Sequence, residues 1–142
     1  MAIIKFINFG DHKGYNSLIN VINYVRKYDA IGYNVFAENA VREFQGVQNY
    51  YGYDNEHNMS VVHLTVSPSL YDYIDYSLDD YETEVLAFFE RHQVICSHDY
   101  KHKNRHLHFA VNPVSFFDGG LITLEHEAAL REFVYRGLKR LG

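Results

Sequence analysis

Residues His106-Leu107-His108-Phe109-Ala110-Val111-Asn112 repeat with a period of two, the pattern of a strand with one face in a core. Successive strand side chains point to opposite faces, so His106, His108, Ala110 and Asn112 share one side while Leu107, Phe109 and Val111 share the other. Residues two apart lie roughly 6.5 to 7 Å apart along a strand, so both imidazoles can reach one metal ion if a neighbouring element supplies a third donor. His98 is the natural third donor. It follows the apolar run Val94-Ile95-Cys96, and a polar, basic stretch containing Tyr100, Lys101, Lys103, Asn104 and Arg105 separates it from His106. The pattern predicts two adjacent strands joined by a loop. A chain with nine histidines can also place two at i, i+2 as hydrogen-bonded rings on a half-exposed sheet. The third histidine and the clean alternation favour the metal site.

Outward from this stretch, Phe117-Asp118-Gly119-Gly120 reads as a tight turn into Leu121 to Leu124, a hairpin partner. Residues 59 to 67 form another strand, with Val61, His63, Thr65 and Ser67 on one face and Val62, Leu64 and Val66 on the other. Residues 2 to 9 are Ile- and Phe-rich and stop at Gly10-Asp11, as a first strand would.

From Ser17, Leu18, Val21, Ile22, Val25 and Tyr28 recur at helical spacing, with Asn16 or Ser17 able to cap the start and Tyr24 at the edge of the stripe. A second helix over residues 38 to 50 is weakened by Gly46, and residues 52 to 58 are turn-rich. Ser77-Leu78-Asp79-Asp80 resembles a capped helix start, its acids placed where the helix dipole favours them. Tyr81, Val85, Phe88, Phe89 and His92 form that helix's buried stripe. A last amphipathic helix buries Leu130, Phe133, Val134, Leu138 and Leu141 and exposes Arg131, Arg136, Lys139 and Arg140. These elements predict an α+β fold: a central, largely antiparallel sheet of about five strands, helices on its apolar face and the histidines on the other.

A chain of 142 residues is one domain that can bury a core without disulfides or structural metals, so a metal here points to catalysis. The single cysteine, Cys96, lies in an apolar strand-like segment, reads as packing, and fits a reducing, cytoplasmic setting. No apolar run is long enough to span a membrane, and the start has no signal-peptide pattern. The net charge of -5 argues against a generic nucleic-acid binder. Lys101, Lys103 and Arg105 nevertheless make the histidine region locally basic, either to hold phosphates or simply as solvated loop charges. Thirteen tyrosines and ten phenylalanines offer stacking platforms and nucleophiles, although most are accounted for by packing.

The segment HDYKHKNRHLHFAVNPVSFFDGG, residues 98 to 120, resembles the third motif of relaxases of the MobP and VirD2 type, members of the HUH endonuclease superfamily. VVHLTVSPS, residues 61 to 69, resembles their second motif, a strand ending in a serine near the DNA, here Ser67. SLINVINYVRKYDA, residues 17 to 30, resembles the first, in which a helix carries the catalytic tyrosine, here Tyr24. The resemblance covers residues 17 to 124; the third motif is specific, and the order and spacing of the three carry the rest. The family has one residue between the first histidine and the aspartate, whereas His98 and Asp99 are adjacent here and the following loop is one residue longer. His102 is then a second candidate ligand.

The resemblance implies nicking and rejoining of one DNA strand at an origin of transfer, through a 5'-phosphotyrosine on Tyr24 and a metal on His98, His106 and His108. It assigns Asp99 to orienting a ligand imidazole, and Ser67 and Asn112 to the DNA. The expected cofactor is Mn or Mg, with Zn, Ni or Co fitting three imidazoles in a crystal. Implied partners are single-stranded DNA, accessory relaxosome proteins and a coupling protein, with export to a recipient while bound to DNA. The chain is short for such a protein, either an isolated catalytic domain or a minimal standalone one. Rival readings are a rolling-circle initiator or transposase, whose tyrosine would be Tyr135, a hydrolase using metal-bound water, and a non-catalytic single-stranded DNA-binding domain.

Overall fold

Two histidines and their apolar alternates are carried by the last strand of the computed structural model, which describes residues 2–68, 76–100 and 105–141. In chain order the elements are β1 (Ile3–Ile7), α1 (Gly14–Arg26), β2 (Ile31–Tyr33), α2 (Ala40–Tyr50), β3 (Val62–Ser67), α3 (Leu78–Phe88), β4 (Val94–Asp99), β5 (His106–Val111) and α4 (Glu125–Leu141). The five strands form one sheet in the order β1-β3-β5-β4-β2, and every pairing is antiparallel. The α+β class and the antiparallel five-stranded sheet agree with the expectation.

One member of that sheet differs. Leu121 to Leu124 makes only an isolated bridge, Leu121 with Val114, and the fifth strand is instead Ile31–Tyr33, on the outer edge of β4. Three residues containing Gly32 carry too little periodicity to be recognised. The glycine is required, because a β-carbon there would collide with the Val35 carbonyl oxygen as the chain turns back.

The sheet is sandwiched by two cores. On the Phe109 face, Ile4, Phe6, Leu64, Val66, Leu107 and Phe109 meet α3 through Tyr81 and Val85, and α4 through Leu130, Val134 and Leu138. Complete burial of each large apolar side chain there contributes about 1.5–3 kcal/mol. On the histidine face, α1 lays Leu18, Val21, Ile22 and Val25 over Ile95 and Ala110, and Phe44 of α2 joins them. Helices therefore cover both faces, and the histidine face is only partly open.

Local signals explain most element boundaries. Ser77 makes a complete capping box with Asp80, as the sequence suggests. Helix α1 starts before the expected Asn16 or Ser17 cap: Lys13 stands at the N-cap position and makes no side-chain cap, while Gly14 N–H donates to the Asn55 carbonyl at 2.8 Å. Gly46 does not break α2, since the surrounding space is open and the helix runs through it. Strand β1 is an edge, and α4 occupies its free hydrogen-bonding groups: Phe6 N–H donates to Glu127 and Arg131 Nε donates to the Ile4 carbonyl, each at 2.8 Å. That blunts an otherwise sticky edge. Among the described residues no helix is long and apolar enough to cross a membrane.

Candidate metal centre beside a tyrosine helix

Register places the candidate ligands. Asp99 pairs with His106 and Ser97 with His108, so Asp99, Ser97, His106 and His108 lie on one face of the β4–β5 ladder. On the other side of β5, Thr65 pairs with His108 and His63 with Ala110, which brings His63 to the same face. Asp99 Oδ2 lies 3.3 Å from His106 Nε2 and 3.5 Å from His108 Nε2. One donor atom from each of the three lies within 4.8 Å of the others, so the cluster can hold one metal ion.

Polar satisfaction points the same way. His108 Nδ1 and Nε2, His63 Nε2 and Ser97 Oγ are buried without a hydrogen-bond partner. The 3.5 Å approach of His108 to Asp99 is too long for a good N–H···O bond. Each orphaned buried group costs about 1–3 kcal/mol, and four gathered on one sheet face make it a candidate ligand site. Two imidazoles and a carboxylate are a common donor set for divalent transition metals. Burial, aided by the neighbouring His106, lowers the His108 imidazole below its ordinary range. Burial, followed by His108 and His12, pushes His63 down to about 4. Both rings are therefore neutral at neutral pH, the form that ligates.

Tyr24, in the last turn of α1, reaches this face. Its ring meets His108 edge-on at 5.1 Å between centroids and His63 at 5.5 Å. Tyr28, just beyond the helix, stacks on His108 at 5.3 Å with an 8° interplanar angle. Lys27 Nζ sits 4.4 Å from the Tyr24 ring centroid and 5.0 Å from that of Tyr28. Burial, then Tyr28, raise the Tyr24 phenol above its ordinary value, and Lys27 opposes them. At 39% exposure Tyr24 remains open to an incoming ligand. A groove lined by Lys27, Tyr28, Asp29, His98 and Tyr100 runs past it.

The remaining candidates divide sharply. His98 does not join His106 and His108: it pairs across from the core residue Leu107, on the opposite face, where Nε2 lies 2.9 Å from Glu82 Oε1 and Nδ1 lies 2.7 Å from the Tyr100 hydroxyl. Asp99 takes the place expected for it. Ser67 closes β3 on the histidine face, one residue beyond Val66, which pairs with Leu107. Asn112 is not available to DNA, being fully buried. Its Nδ2 donates to the Phe44 carbonyl and Gln93 Oε1, and its Oδ1 accepts from Gln48 Nε2 and Val114 N–H. It ties α2 to the end of β5. The Arg105 guanidinium lies over the Tyr100 ring at 5.4 Å. Lys101, Lys103 and the alternative ligand His102 lie outside the described residues. Tyr135 donates its hydroxyl to the Ala2 carbonyl at 3.0 Å, in the layer against the other face.

His63, Ser97 and Lys27 are not singled out from the sequence as site residues, and Tyr28 reads there as part of the apolar stripe of α1. The alternation that puts His63 on the face of Ser67 was legible; its closeness to His108 depends on the β3–β5 register. No protein-family model and no curated protein matches the chain.

Proposed function

We propose that this chain is a relaxase-like nuclease of the HUH type that nicks and rejoins single-stranded DNA through Tyr24. The observation that carries the reading is the meeting of three parts on one sheet face: the Asp99–His106–His108 donor set, the unpartnered His63 and Ser97 atoms, and an accessible tyrosine 5.1 Å from His108. Asp99, His106 and His108 would hold a divalent cation, Mn or Mg in function with Zn, Ni or Co also suited to the imidazoles, and it would supply Lewis acidity to the scissile phosphate.

Tyr24 supplies the nucleophile. Its phenolic oxygen bonds to phosphorus as the bond from phosphorus to the 3'-oxygen breaks, leaving a 5'-phosphotyrosine and a free 3'-hydroxyl once protons are exchanged with solvent. The ester bond energy is retained in the protein adduct, so the reverse attack by a 3'-hydroxyl reseals a strand. Lys27 lies beside the phenol and favours its anion against the burial that opposes it. Tyr28 braces His108 by stacking, and Ser97 lines the floor of the site. The groove past Lys27 and Tyr28 suits a single strand, with phosphates at the cation and bases against rings. Ser67 and Arg105 would contact flanking nucleotides, as the relaxase resemblance implies for Ser67 and the charge of Arg105 suits. The origin of transfer, accessory relaxosome proteins and a coupling protein follow from the relaxase resemblance.

Tyr135 offers no rolling-circle alternative on this face, because its hydroxyl is engaged with Ala2 in the opposite layer. The test incubates the protein with Mn and a randomised single-stranded DNA pool and captures covalent adducts under denaturing conditions. Adducts that vanish in Tyr24→Phe support the reading. Cleavage without adduct points to a water-using hydrolase, and retention without cleavage to a binding domain.

A further inference from the structure

The face of β4 turned away from this site carries a second donor cluster. Cys96 and His98, two apart on the strand, pair across from Phe109 and Leu107 and project towards α3. Glu82 of α3 comes down between them. Its Oε1 accepts from Cys96 Sγ at 3.1 Å and lies 2.9 Å from His98 Nε2, so a thiol and an imidazole converge on one carboxylate oxygen. Asp79, one turn earlier on α3, brings Oδ1 to 3.9 Å from the same Nε2. The far nitrogen of His98 is held by the Tyr100 hydroxyl, and Glu82 Oε2 accepts from Tyr33, so both ligand groups are oriented from behind. Such outer partners are typical of metal ligands.

We propose that Glu82, Cys96 and His98, with Asp79 as the fourth donor, form a zinc-type site that braces α3 against the end of β4. A thiol, an imidazole and carboxylates on a C-x-H strand and an i, i+3 helix pair match the donors that Zn(II) prefers. Tetrahedral bonds of roughly 2.0–2.3 Å set neighbouring donors about 3.3–3.6 Å apart, so Glu82 need only draw back from Cys96 and His98 by a few tenths of an ångström. Burial, followed by the Glu82 carboxylate, drives the Cys96 thiol well above its ordinary range, which argues against a nucleophilic or redox role. Binding of the cation expels that proton as the sulfur becomes a thiolate. His98 and Tyr100 also line the groove past Lys27 and Tyr28, but these ligands take no part in the proposed nicking chemistry and the site does not depend on it.

Cobalt(II) provides a reading specific to this cluster, because Cys96 is the chain's only cysteine. Titrating Co(II) into the His106→Ala/His108→Ala variant is expected to produce a near-ultraviolet thiolate-to-cobalt charge-transfer band that saturates at one ion per chain and is displaced by Zn(II). The band should disappear in Cys96→Ser and weaken at least tenfold in affinity in Glu82→Gln. Zn(II) at a hundredfold excess over its Kd should raise the melting temperature by about 5–10 °C. If the parent chain and the double variant both take up Co(II) without the band, or the band survives Cys96→Ser, the site does not exist. Should Cys96→Ser fail to fold, His98→Asn serves in its place and must lose the band.

Discussion

The two faces of β4 carry similar donors that differ in how far their polar atoms are satisfied. On the front, Asp99 meets His106 and His108, imidazole nitrogens stand without hydrogen-bond partners, and a tyrosine waits at the rim. On the back, Cys96, His98 and Glu82 satisfy one another, with Tyr33 and Tyr100 behind them. In the proposed reading, a front with unmet polar atoms and an exposed tyrosine would meet the substrate. A back that is closed by its own hydrogen bonds is arranged to hold structure. Adjacent residues of one strand thus sit in different surroundings because a pleat separates them.

The strongest way to break this comparison is at the nucleophile. Tyr24→Phe removes only an oxygen, and adduct formation should fall by about three orders of magnitude or more. His106→Ala and His108→Ala should each lower Mn-dependent cleavage by about a hundredfold or more while circular dichroism keeps the native signal. His98→Ala removes no donor to that cation, although His98 stands on the groove wall, and should lower cleavage less than either front histidine. Equal losses in all three would erase the distinction between the faces.

Stability supplies smaller effects. Asn112→Ala should cost about 3 kcal/mol in urea unfolding, because it leaves Gln48, Gln93 and the Phe44 carbonyl without their partner in a closed core. A deficit in DNA binding with unchanged stability would restore the nucleotide contact that the sequence suggested. His63 gives a pH signature in chelator-treated protein. Its folded pKa, about 4, lies below the ordinary histidine value, so its contribution is present above about pH 6.5 and is lost as pH falls towards 4. The slope there is at most about 1.4 kcal/mol per pH unit, and His63→Asn should flatten it. The smallest change is expected for Arg105→Ala, about twofold to fivefold in single-strand affinity and less in high salt.

Much of this was legible before the fold. Period-two alternation identified β5 and β3, and helical spacing with the Ser77 cap identified α1, α3 and α4. Leu121 to Leu124 was misleading because a turn followed by apolar residues looks the same whether or not a sheet edge is free to receive it. Here β2 forms the outer edge beside β4. Asn112 looked like a surface contact because its parity matches the histidines. The chain end of β5 turns inward there, and α2 closes over it.

By itself the sequence determined that His106 and His108 share a face, since parity within a strand is a property of the backbone. It could not determine whether His98 or Asp99 joins them. Val94-Ile95-Cys96 is apolar at every position, so either register of β4 against β5 buries hydrophobic side chains. Only the tertiary structure chose, by pairing Asp99 with His106 and fitting Ile95 under α1. A slip of one residue would exchange the two faces of β4.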